Sequence, residues 1–402
     1  MRLALVVVAL SAIGKGSAIA QAKYGPGVSD TEIKIGNTNP YSGPASAYGV
    51  IGRTEEAYFR KVNDDGGING RKINFISYDD AYSPPKAVEQ ARKLVEDDDV
   101  LLLFHAVGTP PNAAIQKYLN AKKVPQLFVA SGATRWNDPQ NFPWTMGWQP
   151  NYKSEARVYA KYILKTKPDA RIAVLYQNDD FGKDYLKGLK EGLGAKVSSM
   201  IVAEESYETT SPTIESQVAT FKSRGADVFV NVTTNKFAAQ AIRKAGEIGW
   251  KPIHILNNNA ISIASVITPA GIENAQDIIS VAYLKDPTDP QWKDDDGMKA
   301  YYDFMAKYLP EANKSDTLRV YAYSAAQTLV HVLTKCGNNL TRENVMAQAA
   351  SVKNLQLPGL LPGILINTSP TDFAPITQFQ LMKFKGERWE LFGDVINAGT
   401  SD

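Results

Sequence analysis

The chain has 402 residues, of which 21% are charged, and its formal net charge is +2 at pH 7. Acidic and basic residues are well mixed, so no long basic stripe predicts binding to nucleic acid or to an anionic membrane. A single cysteine, Cys336, excludes an internal disulfide. The length predicts about two domains, whose cores need no covalent cross-link.

The first 22 residues have the pattern of a secretory signal peptide. Met1-Arg2 is a short positive start, and residues 3–13 form an apolar run below the ~18 residues that a membrane helix needs. Small residues at 18, 20 and 22 supply a cleavage pattern that predicts a cut after Ala22. The alternative is a buried N-terminal strand. We therefore expect an exported protein whose leader is removed.

Strand and helix patterns alternate in the first half of the chain. Continuous apolar runs bounded by turn residues are typical of parallel strands covered by helices on both faces. This βαβ order predicts a doubly wound parallel sheet. The predicted elements are strand 33–36, helix 47–63, strand 72–78, a helix opened by Pro84 or Pro85, strand 100–107, helix 112–121 and strand 124–129.

The same rhythm restarts after residue 144 and predicts a second sheet of the same type. The predicted elements are helix 154–165, strand 171–176, helix 183–193, strand 197–203, helix 212–224, strand 227–232, helix 237–248 and strand 253–256. Strand 278–284, helices 297–309 and 317–334, and hairpin-like segments 358–366 and 376–392 follow. Two similar lobes joined by several crossings would enclose a cleft that closes on a ligand by hinge bending.

Two neighbouring strands of the first sheet end in small residues that carry hydroxyl groups. Residues 108–111 (GTPP) follow one strand, and residues 130–134 (ASGAT) follow the next. In open parallel sheets, ligands bind beyond the carboxyl ends of the strands. Both turns offer hydroxyls and backbone N–H groups but no nucleophile–base pair. The pattern therefore predicts a site that holds a small polar group without transforming it.

Known catalytic and metal-binding patterns are missing from the sequence. It has no G-x-S-x-G elbow, no HExxH and no glycine-rich phosphate loop of the required spacing. Asp79 and Asp80 are adjacent on one strand, so their side chains point to opposite faces. The three histidines do not have the spacing of metal ligands. We predict no enzyme activity, no metal and no cofactor, with an exported hydrolase as a remote alternative.

Several segments, taken in order, resemble the periplasmic substrate-binding proteins of ABC transporters. They are the leader, residues 33–49 (IKIGNTNPYSGPASAYG), 63–73 (NDDGGINGRKI), 130–134 (ASGAT) and 176–185 (YQNDDFGKDY). The resemblance is to the branched-chain amino-acid (leucine/isoleucine/valine) type, whose relatives bind amides, urea and aromatic acids. It covers nearly the whole mature chain.

The resemblance implies the type I fold, in which two doubly wound α/β lobes are joined by a hinge of three crossings. Lobe 1 is expected at 31–146 and 284–355, and lobe 2 at 147–283 and 356–397. Members of this family are not enzymes; they deliver a solute to a cognate permease in the inner membrane. We accordingly expect a periplasmic monomer, although a soluble binder can also serve a sensory receptor.

The resemblance also implies a set of ligand-binding residues. Tyr41, Ser42 and Tyr48 match the cleft wall, and Thr109 matches the position that receives the ligand carboxylate. Gly132, Ala133 and Thr134 match a second group of donors to the same carboxylate, which form a carboxylate nest together with Thr109. Phe181 matches an aromatic residue of lobe 2 that covers the ligand. The alternative for the three aromatic residues is ordinary core packing.

One departure from the family pattern concerns the charge of the ligand. Asn259 stands where amino-acid binders keep an acid for the α-ammonium, and a neutral amide cannot neutralise a buried cation. The loop 233–235 is also uncharged, and Pro110 and Pro111 replace the usual serines. We therefore predict a carboxylate without an α-ammonium, favouring an aromatic or phenylpropenoid acid.

Other ligands remain open at this point. A branched-chain amino acid is an alternative if Asp79, Asp80 or Asp179 reaches the ammonium, and an amide or urea is another. Arg135, beside the nest, either pairs with an acid or is exposed at a helix start.

Overall fold

The computed structural model of the chain describes residues 23–399. The predicted signal peptide and its cleavage site after Ala22 lie outside the described residues. Within the described range, no helix combines the length and the apolar character needed to cross a membrane.

Strands and helices alternate over most of the described range. The strands are β1 (Lys23–Tyr24), β2 (Glu32–Asn39), β3 (Lys72–Asp79), β4 (Leu102–Phe104), β5 (Gln126–Val129), β6 (Thr145–Gly147), β7 (Ile172–Gln177), β8 (Ile201–Tyr207), β9 (Val228–Val232), β10 (Ile253–Leu256), β11 (Ile279–Ala282), β12 (Asn339–Leu340), β13 (Gln378–Lys385) and β14 (Arg388–Asn397). The α-helices are α1 (Val50–Asp64), α2 (Pro84–Arg92), α3 (Thr109–Ala121), α4 (Tyr152–Thr166), α5 (Asp180–Leu193), α6 (Val197–Met200), α7 (Glu215–Ser223), α8 (Asn235–Glu247), α9 (Thr268–Ala270), α10 (Asp296–Tyr308), α11 (Thr317–Cys336) and α12 (Arg342–Ala349).

The first lobe is built on a five-stranded parallel sheet in the order β3-β2-β4-β5-β6. Its central strands β4 and β5 are buried along their whole length. That burial explains their continuous apolar sequence. Helices α10 and α11, which follow much later in the chain, pack on α1 of this lobe.

The second lobe is built on a seven-stranded sheet in the order β14-β13-β11-β10-β9-β7-β8. Strands β7 to β11 are parallel to their neighbours in this group, whereas β13 and β14 pair antiparallel at one edge. The chain passes between the sheets after β6, after β11 and before β13. The predicted two-lobe fold with a hinge of three crossings is confirmed. The exact lobe boundaries stay a prediction.

Two predicted elements are wrong. The segment 197–203 is not a strand throughout, because residues 197–200 form the short helix α6, which buries Met200, and β8 starts only at residue 201. The segment 358–366 forms isolated bridges and no strand. Pro358 and Pro362 lack the N–H groups that a ladder needs there. The hairpin is β13–β14, which turns at Gly386 with a φ of 60°.

The hydrophobic core is continuous between the lobes. One cluster of buried side chains contains Phe104 of the first sheet, Trp148 of the first crossing, and Leu256 and Met382 of the second sheet. Closing the lobes therefore buries apolar surface of both in one core.

Candidate functional site

A cavity lies between the two lobes, with a volume of about 1020 Å³ that includes its opening to solvent. Its wall includes residues that follow β4 and β5 in lobe 1, among them Thr109 and Ala130, and residues that follow β10 in lobe 2, among them Asn258 and Asn259. The cavity therefore lies beyond the carboxyl ends of parallel strands, where ligands bind in open α/β sheets.

Aromatic side chains form much of the cavity wall. They are Tyr48, Tyr82, Tyr152, Phe181, Tyr283, Trp292, Tyr321 and Trp389. The rings of Tyr152 and Phe181 meet edge to face at 5.2 Å, and Trp389 Nε1 donates to the backbone oxygen of Ile261 at 2.9 Å. These rings offer flat apolar surfaces to a ligand.

Thr109 stands at the start of α3, on the lobe 1 side of the cavity. The preceding residue, Gly108, has a φ of 98°, and a Cβ there would lie 2.3 Å from the ring of Tyr82. Only glycine satisfies both constraints. The hydroxyl of Thr109 lies 2.7 Å from that of Ser131, which accepts from Trp136 Nε1 at 2.9 Å. The contact with Ser131, which is itself bonded to Trp136, therefore fixes the orientation of the Thr109 hydroxyl.

Asn259 joins the lobes at the cavity wall. Its Oδ1 accepts from Gln149 Nε2 at 2.8 Å, and its backbone oxygen accepts from the hydroxyl of Tyr48 at 3.2 Å. Gln149 in turn accepts from the hydroxyl of Tyr321 at 2.7 Å. The amide is therefore part of a neutral network that spans the first crossing.

The cavity brings together four of the residues predicted from the resemblance, namely Tyr48, Thr109, Phe181 and Asn259. Gly132 and Ala133 line a smaller pocket of about 240 Å³ beside the crossings. Thr134 lines neither pocket: its N–H and its hydroxyl donate to Asp184 Oδ2 at 2.7 and 2.6 Å.

Tyr41 and Ser42 lie outside the cavity wall. Their backbone N–H groups donate to Asp79 Oδ1 at 2.9 and 3.1 Å, and the Tyr41 hydroxyl lies 2.6 Å from that of Ser77. Asp79 ends β3, so it fixes the loop after β2 against the neighbouring strand. The same loop then turns Tyr48 into the cleft.

The acids proposed as alternative partners for an ammonium have local roles. Asp79 holds the loop after β2, and Asp80 Oδ1 accepts from the Tyr82 backbone at 2.8 Å. Asp179 caps α5 by accepting from the Phe181 backbone at 2.9 Å. None of the three is among the described residues that line the cavity.

Asp286 is a cavity residue that the sequence analysis missed. Its Oδ1 accepts from the backbone and hydroxyl of Thr288, whereas Oδ2 is buried and has no partner within residues 23–399. Burial, opposed by the bonds from Thr288, raises the pKa of Asp286 to about 6. The hydroxyl of Thr317, at the start of α11, also lines the cavity without a described partner. Because Asp286 precedes a proline, its sequence context predicts a turn and gives no indication of a ligand-binding role.

The chain is similar to known proteins over most of its length. Residues 32–388 match the model of a family described as periplasmic binding protein. The Leu/Ile/Val-binding protein homolog 1 of Brucella abortus is 25% identical over 335 residues, which are 82% of this chain and 85% of that relative.

Solved structures share the fold over nearly the whole chain. A branched chain amino acid ABC transporter protein from Thermus thermophilus with bound valine has a TM-score of 0.83 at 17% identity, covering 92% of this chain and 97% of that one. A fatty acid ABC transporter substrate-binding protein from Thermomonospora curvata has a TM-score of 0.78 at 21% identity, covering 94% and 95%. At these identities the likeness is one of fold alone. Since the family model spans 32–388 of 402 residues, the chain belongs to the periplasmic binding protein family.

Proposed function

We propose that the protein is the extracytoplasmic solute-binding component of an ABC importer and captures a small carboxylate with a flat apolar body. An aromatic or phenylpropenoid acid is the favoured class. The observation that carries this proposal is the wall of aromatic rings around Thr109 and the uncharged Asn259.

Desolvation costs decide between ligand classes in such a cavity. A buried carboxylate is expensive unless several donors converge on it, and hydroxyl donors of the Thr109 type supply part of that need. Burying an aromatic body contributes about 25 cal/mol for each Å² of apolar surface. The Thermomonospora protein named for fatty acids has the same fold, and a fatty acid is likewise a carboxylate on an apolar body.

Isothermal titration tests the ligand class. Benzoate and hydroxycinnamate derivatives are compared with leucine, valine and phenylalanine on the purified mature protein. We expect micromolar or tighter binding of at least one aromatic acid and none of leucine. Micromolar leucine binding without any response to the aromatic acids would contradict the favoured class.

A second candidate is a branched-chain amino acid, favoured by the unpartnered oxygen of Asp286 in the cavity wall. This carboxylate could serve as the counter-ion that Asn259 cannot provide. If leucine binds, Asp286→Asn should weaken its binding at least about tenfold, because a charge-assisted bond is lost. Asp303→Asn, on the exposed face of α10, is the matched control. An unchanged affinity in Asp286→Asn would exclude this role.

A role in an importer implies a cellular compartment and a partner protein. We infer that it works in the periplasm as a monomer, that a permease in the inner membrane receives its solute, and that it catalyses no reaction. Uptake of the bound acid by cells with and without the gene tests this role: uptake that does not depend on the gene would contradict it.

A further inference from the structure

The cavity wall carries a second polar group besides the residues around Thr109. The members of this second polar group are Ser262, Lys285, Asp286, Asp289 and Thr317. They come from the loop after β10, from the second crossing and from the start of α11, whereas Thr109 starts α3 of lobe 1. The wall therefore offers polar contacts from two separate sets of elements.

Helix α11 places the second polar group relative to the network around Asn259. Thr317 and Tyr321 are four residues apart on α11, so they lie on one face of the helix, and both line the cavity. The hydroxyl of Tyr321 donates to Gln149 Oε1 at 2.7 Å, and Gln149 Nε2 donates to Asn259 Oδ1 at 2.8 Å. Thr317 therefore extends the wall beside the ring of Tyr321, next to that network but outside it.

Three side chains of the second polar group have partners within the protein. The hydroxyl of Ser262 donates to Asp316 Oδ1 at 3.0 Å, and Lys285 Nζ donates to Asp295 Oδ2 at 2.8 Å. Asp289 Oδ1 accepts from the backbone N–H two residues further on at 3.0 Å. The hydrogen bonds of these side chains are therefore made inside the chain itself.

The other two members of the group each keep a polar atom without a partner. Asp286 Oδ2 and the hydroxyl of Thr317 are buried and bond to nothing within residues 23–399. Thr317 is only 8% exposed, and Asp286 Oδ1 already accepts from the backbone and hydroxyl of Thr288 at 2.8 and 2.7 Å. A buried polar group without a partner costs free energy. Because a carboxylate oxygen accepts, the partner that suits Asp286 is a hydroxyl or N–H donor.

Aromatic rings adjoin these two atoms. Tyr283 lies three residues before Asp286, Tyr321 lies four residues after Thr317, and both rings line the cavity. Both also pack on Trp148, at ring distances of 6.2 and 5.3 Å. Flat rings of this kind suit the apolar body of a ligand. A solute that reaches both polar groups therefore needs a polar group at each end and an apolar body between them.

We propose that Asp286 and Thr317 form a distal subsite that binds a hydrogen-bond donor of the solute, at the end opposite the carboxylate. The carboxylate lies at Thr109, the ring lies along the aromatic wall, and a hydroxyl or amino group donates to Asp286. This inference rests on the proposed function and narrows its ligand class to hydroxylated or aminated aromatic acids.

Isothermal titration at pH 8 tests the subsite with acids that differ only at the far end. The pairs are para-hydroxybenzoate with para-methoxybenzoate, and para-hydroxycinnamate with para-methoxycinnamate. The methoxy group keeps the oxygen and removes the donor. Since the pKa of Asp286 is about 6, its carboxylate is ionised at this pH. In at least one pair, the parent should bind the hydroxy acid about ten- to a hundredfold more tightly, because that acid makes a bond to a charged acceptor.

Variants assign this preference to the subsite. Asp286→Asn replaces the accepting oxygen by an amide N–H and should reduce the preference to less than about threefold. Thr317→Val keeps the shape of the side chain and should reduce the preference in part. Thr109→Val should instead weaken both acids of a pair alike, because it acts on their shared carboxylate. Asp303→Asn, on the exposed face of α10, should keep the preference of the parent.

The outcomes separate a failure of the subsite from a failure of the proposed function. Equal binding of the hydroxy and methoxy acids by the parent, or a preference that survives in Asp286→Asn, would overturn the subsite while the proposed function stands. If neither pair binds, the proposed function fails and the subsite with it. Circular dichroism checks that each variant folds, and if Asp286→Asn does not fold, an undiminished preference in Thr317→Val overturns the subsite.

Discussion

Glu155 is the buried acid that supports the cavity loop of lobe 2 from behind. Its Oε1 accepts from the Tyr159 hydroxyl at 2.7 Å and from the Asn258 backbone at 2.8 Å. Burial, opposed by these bonds, raises the pKa of Glu155 to about 7. Asn258 lines the cavity, so the protonation of one buried group is linked to a loop of the cavity wall.

The raised pKa of Glu155 predicts a pH-dependent stability. The folded state binds this proton more tightly than the unfolded chain, so the contribution is full below the unfolded value and is lost as the pH rises through about 7. Between pH 5 and pH 8, the parent should therefore lose roughly 2–3 kcal/mol more unfolding free energy than Glu155→Gln. Urea denaturation at the two pH values measures the difference. Glu89→Gln, on an exposed face of α2, should track the parent, and a Glu155→Gln curve parallel to the parent's would contradict the assignment.

Thr109 remains the residue predicted to receive a ligand carboxylate. Thr109→Val keeps the approximate shape and removes the hydroxyl, so the affinity for the acid found in the titration should fall about ten- to a hundredfold. Thr109→Ser keeps the hydroxyl and should bind like the parent. Isothermal titration of the three proteins, with folding checked by circular dichroism, decides the matter: equal affinities would remove Thr109 from the site.

At the residue scale, the sequence predicted positions in the cleft better than it predicted their partners. Tyr48, Thr109, Phe181 and Asn259 all reach the cavity wall. Thr109 and Phe181 lie at helix starts, Asn259 lies shortly after β10, and Tyr48 lies in the loop between β2 and α1. The partner of Thr134 is 50 residues away, and no local pattern indicates which surface acid of α5 will face it. Tyr41 lies outside the cavity wall because the bonds that hold its loop come from β3, and its role at the site stays a prediction.

At the element scale, long periodic segments were predicted well and short ones were not. Helix α1 and strand β9 are close to their predicted bounds because apolar periodicity is clear there. Strand β6, with 3 residues, gave too little pattern to detect. The antiparallel edge β13–β14 was visible because polar and apolar residues alternate along most of β13.

The packing of α5 on α4 depends on a glycine, and this gives a prediction at the same scale. A Cβ at Gly188 would lie 2.4 Å from the backbone oxygen of Lys153, so an added methyl must displace backbone. Replacing glycine by alanine in a helix favours folding by about 1 kcal/mol, but overpacking against backbone costs about 1–3 kcal/mol and should win. Gly188→Ala should therefore lower the unfolding free energy in urea. Lys187→Ala, exposed on the same helix, is the control; a stabilised Gly188→Ala would refute the close approach.

At the scale of the whole molecule, the sequence predicted where the cavity lies but not which residues form most of its wall. The rule for parallel sheets located it beyond the strand ends. The wall contains four aromatic residues that are spread over more than 300 positions of the chain, namely Tyr82, Tyr283, Tyr321 and Trp389. Only the three crossings bring these residues together. Asp286 enters the wall in the same way, through the second crossing.

Trp148 lies where the crossings meet and couples the two lobes. Its buried ring packs 5.3 Å from that of Tyr321 and 6.2 Å from that of Tyr283, and its Nε1 donates to the hydroxyl of Thr328 at 2.9 Å. Because the surrounding core contains residues of both sheets, unfolding of one lobe exposes apolar surface of the other. The parent should therefore unfold as one cooperative unit, although multidomain chains often do not.

Trp148→Ala tests this coupling. The change should lower the unfolding free energy by about 3–5 kcal/mol, as truncation of a buried tryptophan usually does. The two lobes should then unfold at different urea concentrations. Hydrogen exchange in urea, followed at β4 for lobe 1 and β9 for lobe 2, reports each lobe separately. Trp250→Ala removes a tryptophan from a core confined to lobe 2, so it should shift both midpoints together because the coupling is intact. Separate midpoints for β4 and β9 in the parent would show that the shared core does not unite the lobes.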